Sequence, residues 1–352
     1  MKVAMYYNNH DVRFEDMAQP AAGPGELLVK VMASGICGSD VMEWYRIKKA
    51  PRVLGHEIAG EVIQVGEGVE SYRVGDRVFV SHHVPCNTCH YCLSDHHTVC
   101  DLLRNTNFHP GGFAEYLRVP RINVDRGTFL IPDGMSYEEA VFIEPLACVY
   151  RGLKAAQLRP GQSLLIVGSG ITGLLMVQAA RTMGAGRIIA TDISDFRLDT
   201  ARRVGADVAL KAADARPGKL MELNGGRLPD AVIVCTAART AISQAFSSVG
   251  RGGTILFFAP TEPGVEVAMP LHDIWKDEVS IVTSYGGSPH DLQVAIELIR
   301  SRAANVTQLI THRLPLEKAA EGFGLVADAK DSIKVILYPH GADAAAAGAR
   351  KK

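Results

Sequence analysis

Three things are missing from this chain, and each absence closes a class of function. It has no excess of charge: 37 Lys and Arg stand against 38 Asp and Glu, a formal net charge of −1. No basic field is therefore available to draw in nucleic acid or an anionic membrane. It has no long apolar run, since no uninterrupted stretch reaches the roughly twenty residues that a spanning helix needs. Met1-Lys2-Val3-Ala4-Met5 leads into polar residues without the apolar core of a secretion signal. It also lacks an even cysteine framework: there are seven, four of them in one tight cluster. That pattern suits metal binding in a reducing compartment better than disulfides. The expectation is a cytoplasmic protein with neither nucleic-acid nor membrane partners.

What is present is an ordinary globular composition, 47% apolar and 21% charged over 352 residues, long enough for two domains. The first third is β-rich. Residues 25–31, 58–66 and 74–80 alternate like strands and are broken by glycines, which predicts a small barrel with functional residues on its loops. From about residue 150 the rhythm changes. Strand runs at 163–167, 187–192, 231–235, 254–258 and 279–283 are interleaved with helical stretches such as 173–182 and 196–204. Strands alternating with helices predict a parallel, doubly wound α/β sheet. Helices at 291–300 and 316–327 and a strand at 333–337 return the chain to the first domain. The expected division is 1–149, with a cysteine lobe at 86–100, then 150–285, then 286–340. An Ala-rich tail at 341–352 is expected to be disordered.

Cys86-x2-Cys89-x2-Cys92-x7-Cys100 is the most specific local signal. Four thiolates at this spacing can close a tetrahedral shell around zinc and leave no position for substrate, which makes the site structural. An iron–sulfur cluster or two disulfides are the rival uses of the same residues. Gly168-Ser169-Gly170-Ile171-Thr172-Gly173 follows a predicted strand and opens a predicted helix. In that context the glycines let a pyrophosphate approach the backbone, and the helix N-terminus supplies donors. Asp192 ends the next strand, where a carboxylate accepts the adenosine ribose hydroxyls and disfavours a 2′-phosphate, so NAD is expected over NADP. Arg197 is a candidate to lie on or near the adenine, or else a solvated helix arginine.

Residues 37–57 offer a further set of donors: Cys37, His56 and Glu57, on loops bounded by glycines, with Glu144 far along the chain as a fourth candidate. Thiolate, imidazole and carboxylate are the three donor types zinc accepts, and three protein ligands leave a fourth position open for chemistry. His82, His83, His96 and His97 flank the cysteine lobe and read as surface residues. Cys148 and Cys235 read as core.

Taken together, these stretches resemble the zinc-dependent medium-chain dehydrogenases, and the resemblance covers nearly the whole chain. Gly35-Ile36-Cys37-Gly38-Ser39-Asp40, Gly55-His56-Glu57, the four cysteines, Gly111-Gly112-Phe113-Ala114-Glu115-Tyr116, Glu144-Pro145-Leu146 and the glycine turn carry it. Glu144-Pro145-Leu146 is similar to the sorbitol and related polyol dehydrogenases, and to some threonine dehydrogenases. The resemblance implies a GroES-like barrel with a Rossmann domain, and two zinc ions per chain, one catalytic and one structural. Cys37 and His56 would bind the catalytic zinc, with Glu57 or Glu144 as third ligand or close neighbour. Asp40 would hold the His56 ring, and Ser39 would take the substrate's hydroxyl proton. Zinc would act as a Lewis acid on a secondary alcohol, and hydride would pass to the nicotinamide of NAD. Thr236, Ser284 and Tyr285 would lie near that ring, and the enzyme would be a homodimer or homotetramer. Two departures stand out. Met42 occupies the position where many relatives carry a proton-relaying histidine, and 283–287 lacks the arginine that contacts substrate in sorbitol-type relatives.

Overall fold

A computed structural model describes residues 1–342; the tail expected at 341–352 lies, from residue 343 on, outside the described residues. The chain divides into two compact units. One comprises Met1–Pro145, Gly287–Ser301 and the segment from Val306 onward, and the other Leu146–Gly286 with Arg302–Asn305.

The first unit is built around the strand Leu27–Ile36, buried at every position but Lys30. Such a run needs partners on both edges and cover on both faces. It pairs antiparallel with Glu57–Val65, Tyr116–Val119 and Lys334–Tyr338. The sheet continues through Arg77–Val80 to Thr128–Leu130 on one side and to Ile310–Pro315 on the other. Leu27, Val29, Val31, Ile58, Val62, Val78, Val80 and Leu117 fill one core, each such side chain stabilising the fold by about 1.5–3 kcal/mol. A smaller sheet sets Lys2–Asn8 between Asp11–Asp16 and Arg52–Val53. The strand periodicity at 58–66 and 74–80 reappears, but the hairpin of Lys2–Asn8 with Asp11–Asp16 carries too little alternation to be seen in advance.

The second unit holds six parallel strands in the spatial order Val208–Lys211, Ile188–Asp192, Leu164–Val167, Ala231–Val234, Thr254–Phe257, Ser280–Thr283. The order reverses beside Leu164–Val167, and dinucleotides bind at the carboxyl ends of strands at such a switch point. Leu165, Val167, Ile189, Val232, Val234 and Ile255 form its core, with Ile242 and Ala245 of the helix Arg239–Ser248 packed on them. Val208–Lys211 escapes a pattern reading because a four-residue, half-buried edge strand has almost no periodicity. Ser280–Thr283, at the other edge, is largely exposed. Among the described residues no helix is long and apolar enough to cross a membrane.

Candidate active site

Strand register explains why donors nineteen positions apart in sequence meet: Gly35 lies directly opposite Glu57 in the antiparallel pair. The chain therefore leaves one strand at Ile36 and presents Cys37, while the partner strand begins at Glu57, with His56 just before it. One donor atom from each of Cys37, His56 and Glu57 lies within 4.8 Å of the others. Glu144, in the first turn of the helix Ile143–Ala155, is not a member of that cluster.

The turn Gly38–Val41 is fixed by reciprocal capping. The Cys37 sulfur accepts from the Ser39 amide at 3.4 Å, and Asp40 Oδ2 accepts from the Cys37 amide at 3.1 Å. The other Asp40 oxygen lies 3.4 Å from His56 Nδ1 and 3.4 Å from the Arg46 guanidinium. Burial would raise the Asp40 carboxyl, but His56, Arg46 and the Cys37 amide outweigh it and hold it below the usual range. An anionic Asp40 facing Nδ1 leaves Nε2 as the donor nitrogen, the usual arrangement for an imidazole ligand. Arg46 also donates to the Ser39 carbonyl at 2.8 Å and to its hydroxyl oxygen at 3.0 Å.

Behind the cluster is a group that sequence patterns do not disclose. Lys334, fully buried, pairs with Glu57 Oε2. The second oxygen, Oε1, is buried and has no hydrogen-bond partner. Gly35 allows this packing: a Cβ there would stand 2.3 Å from Glu57 Oε2 and 2.7 Å from Val141 Cγ1. A sulfur, a nitrogen and an orphaned carboxylate oxygen in one place fit a zinc ion with an open position.

Of the four histidines read as surface residues, His96 is exposed, and His82, His83 and His97 are half-buried. Val80 pairs with Ile58, so the chain beyond it runs alongside His56. The His82 ring centre lies 4.8 Å from that of His56 and 3.8 Å from that of His83. His82 Nδ1 is buried without a partner. Burial, with the neighbouring His56 and Arg46, pushes the His83 imidazole down to about 4. Cys148 and Cys235, expected in the core, are half-buried.

The second cluster is local. Cys86, Cys89, Cys92 and Cys100 converge, and all seven cysteines are free, which removes the disulfide alternative. Sulfurs held about 2.3 Å from a tetrahedral zinc are about 3.8 Å apart; Cys92 Sγ lies 3.6 Å from that of Cys89 and 3.9 Å from that of Cys86. Backbone amides of Cys89 and Thr88 point at the Cys86 sulfur, at 3.2 and 3.4 Å, and stabilise a thiolate.

In the second unit, Gly168 adopts φ 95°, open to glycine but not to most residues. A Cβ at Gly173 would stand 2.0 Å from the Gly168 carbonyl, whereas one at Gly170 would meet nothing within 4 Å. That leaves a bare backbone at the N-terminus of the helix Ile171–Thr182, which Ile171 and Thr172 begin. The turn has the space and the donors a pyrophosphate requires. Asp192 is buried and braces it: Oδ2 accepts from the Ser169 amide at 2.8 Å and Oδ1 from the Ser194 amide at 2.9 Å. Arg197 lies 4.0 Å from Asp192 Oδ2. Thr236 follows the strand Ala231–Val234, and Ser284 and Tyr285 follow Ser280–Thr283. Ser284 Oγ is buried and unpartnered, while Tyr285 is 51% exposed.

A three-donor cluster, a four-cysteine cluster and a dinucleotide-type turn are the features that suit a zinc-binding dehydrogenase. Residues 23–128 match the alcohol dehydrogenase GroES-like domain, and residues 172–301 the zinc-binding dehydrogenase domain. The chain belongs to the zinc-dependent medium-chain alcohol dehydrogenase family, in its sorbitol (polyol) dehydrogenase-like subgroup. It is 31% identical to the sorbitol dehydrogenase of Bacillus subtilis, over 97% of this chain and 98% of that one. With the L-arabinitol 4-dehydrogenase of Aureobasidium melanogenum it shares 33% identity, over 89% and 87%. The alcohol dehydrogenase TADH from Thermus sp. ATN1 superposes with a TM-score of 0.85 at 29% identity, covering 96% of this chain and 99% of that one. The enzyme is an oxidoreductase whose cofactors are zinc and a nicotinamide dinucleotide.

Proposed function

We propose that this enzyme oxidises a secondary hydroxyl of a polyol, sugar acid or cyclitol to a ketone, with NAD as hydride acceptor. The observation that carries the reading is the convergence of Cys37, His56 and Glu57 around an orphaned carboxylate oxygen. Cys37, His56 and Glu57 would hold zinc, with Glu144 the other candidate for the carboxylate position. Zinc, when bound, supplies a Lewis acid at the substrate oxygen. Asp40 keeps the His56 ring oriented through Nδ1. Ser39, its oxygen held by Arg46, would accept the substrate's hydroxyl proton while releasing its own hydroxyl proton to solvent; Met42 has no proton to relay. Cys86, Cys89, Cys92 and Cys100 hold the second zinc and take no part in the chemistry.

Gly168, Gly170 and Gly173 would cradle the NAD pyrophosphate, and Asp192 would face the adenosine ribose with Arg197 beside it. Thr236, Ser284 and Tyr285 stand past the carboxyl ends of their strands, where a nicotinamide would lie. The cysteines, all free, suit a cytoplasmic setting. A homo-oligomer is supported by the edge strand Ser280–Thr283 and the apolar residues beside it, Trp275 at 76% exposure and Leu271 at 66%; unpaired edges flanked by apolar surface invite a second copy. Trp275→Glu should shift the particle to a smaller mass in light scattering.

The decisive experiment follows NAD reduction across polyols, aldonates, cyclitols and L-threonine, together with metal analysis. Activity on members of the first three groups and about two zinc ions per chain are expected. Activity confined to L-threonine would move the substrate to the amino alcohols, and a single metal would remove the catalytic assignment.

A further inference from the structure

The loop joining the two halves of the candidate zinc cluster is charged in a way the proposed chemistry does not use. Arg46-Ile47-Lys48-Lys49-Ala50-Pro51-Arg52 carries four cations and no acid, in a chain whose net charge is −1. It begins beside Ser39 and Asp40, which Arg46 touches, and ends four residues before His56. Arg46 has partners there. Lys48, Lys49 and Arg52 make no ion pair and no side-chain hydrogen bond among the described residues.

Arg52 is the unusual member. Its backbone is fixed by pairing with Tyr6, and its side chain is half-buried rather than free in solvent. Burial and the neighbouring Arg46 act against its charge and outweigh the smaller favourable effects of Tyr45 and Asp40. The nearby acids are already engaged. Asp40 faces His56 and Arg46, and Glu43 accepts from the Asn9 amide at 3.2 Å. A half-buried guanidinium next to a second one is unfavourable unless an anion completes the site.

We propose that residues 46–52 bind an anionic group of the substrate, so that the polyol oxidised is a sugar acid or a polyol phosphate and not a neutral sugar alcohol. This rests on the reading of the cluster as an alcohol-oxidising site and narrows its substrate class. The planar fork of Arg52 matches a carboxylate or a phosphate, and Lys49 adds attraction at longer range. The diphosphate of the cofactor is the other source of the same chemistry, and the test separates the two.

Zinc-loaded enzyme saturated with NADH, in which no alcohol turns over, is titrated calorimetrically with D-sorbitol, D-gluconate and D-sorbitol 6-phosphate. At least one anionic compound should bind about tenfold or more tightly than sorbitol, by a margin that shrinks as salt is added. Arg52→Met should remove most of that margin and Arg52→Lys should restore part of it. Lys49→Met, at an exposed position, should reduce it in the same direction and serves if Arg52→Met does not fold. Equal binding of all three compounds, no binding of any, or a margin intact in the folded variants overturns the proposal. So does a loss of NADH affinity with the margin unchanged, which would assign the cations to the cofactor. NADH formation is followed separately. If no alcohol is oxidised while the anionic margin holds, the oxidation reading fails and the anion site stands.

Discussion

The two cysteine-bearing clusters hold their donors by opposite means. In the lobe at 86–100, four like ligands come from one short stretch, and the backbone amides that neutralise them come from the same stretch. That cluster is assembled by local turns and is closed. In the other, three unlike donors come from the ends of two strands whose antiparallel register sets Gly35 against Glu57. Two of the three are held from behind by a group from elsewhere: His56 by Asp40, and Glu57 by Lys334, 277 residues away. A structural metal site needs only its own loop. A site with an open position needs the whole unit to keep its donors from relaxing into one another.

The largest test of this contrast is Cys37→Ser. Turnover should fall about a thousandfold or more, about 4 kcal/mol in the barrier, with NAD binding and secondary structure retained. Undiminished NADH formation would show that the open cluster is not catalytic. Next comes Lys334→Met, which leaves the Glu57 carboxylate buried without its counter-charge. About 3–5 kcal/mol of stability should be lost in urea unfolding, and Glu57→Gln in the same chain should recover much of it. A single variant as stable as the parent would mean that the pair does not hold the site.

Cys92→Ser should lower zinc content from two ions to one and reduce thermal stability. Its folded fraction should still turn over faster than Cys37→Ser, since only the closed cluster is broken; equal loss in the two variants would erase the distinction. The smallest effect belongs to Asp192→Ala, outside both clusters. The preference for NAD over NADP should narrow about tenfold, about 1.4 kcal/mol, and an unaltered ratio of kcat/KM values would show that Asp192 serves only to brace the Ser169 amide.

Legibility from the sequence followed the same division. The four-cysteine lobe, the glycine turn and the strand runs read at 163–167, 187–192, 231–235, 254–258 and 279–283, each within one residue of an observed strand, could be read because each depends on spacing within a short window. Cys37, His56 and Glu57 could be named as donors, but not ranked against Glu144, because the ranking depends on which strand ends meet. Lys334 had no local signal, since a lysine in an apolar run reads as a solvent-facing residue. The place of His82 and His83 was hidden for a related reason. No spacing in their stretch marks them, and their neighbour in space is His56, brought there by the pairing of Val80 with Ile58.

By itself the sequence determined the ligand types, the closed lobe, the dinucleotide turn and the parallel sheet, since short-range backbone geometry and hydrophobic period are enough for those. Only the tertiary structure brought Glu57 beside Cys37 and His56, set Lys334 against its charge, and left certain cations around the site without partners. Those outcomes are set by strand register and by burial, and neither is a property of any one stretch of chain.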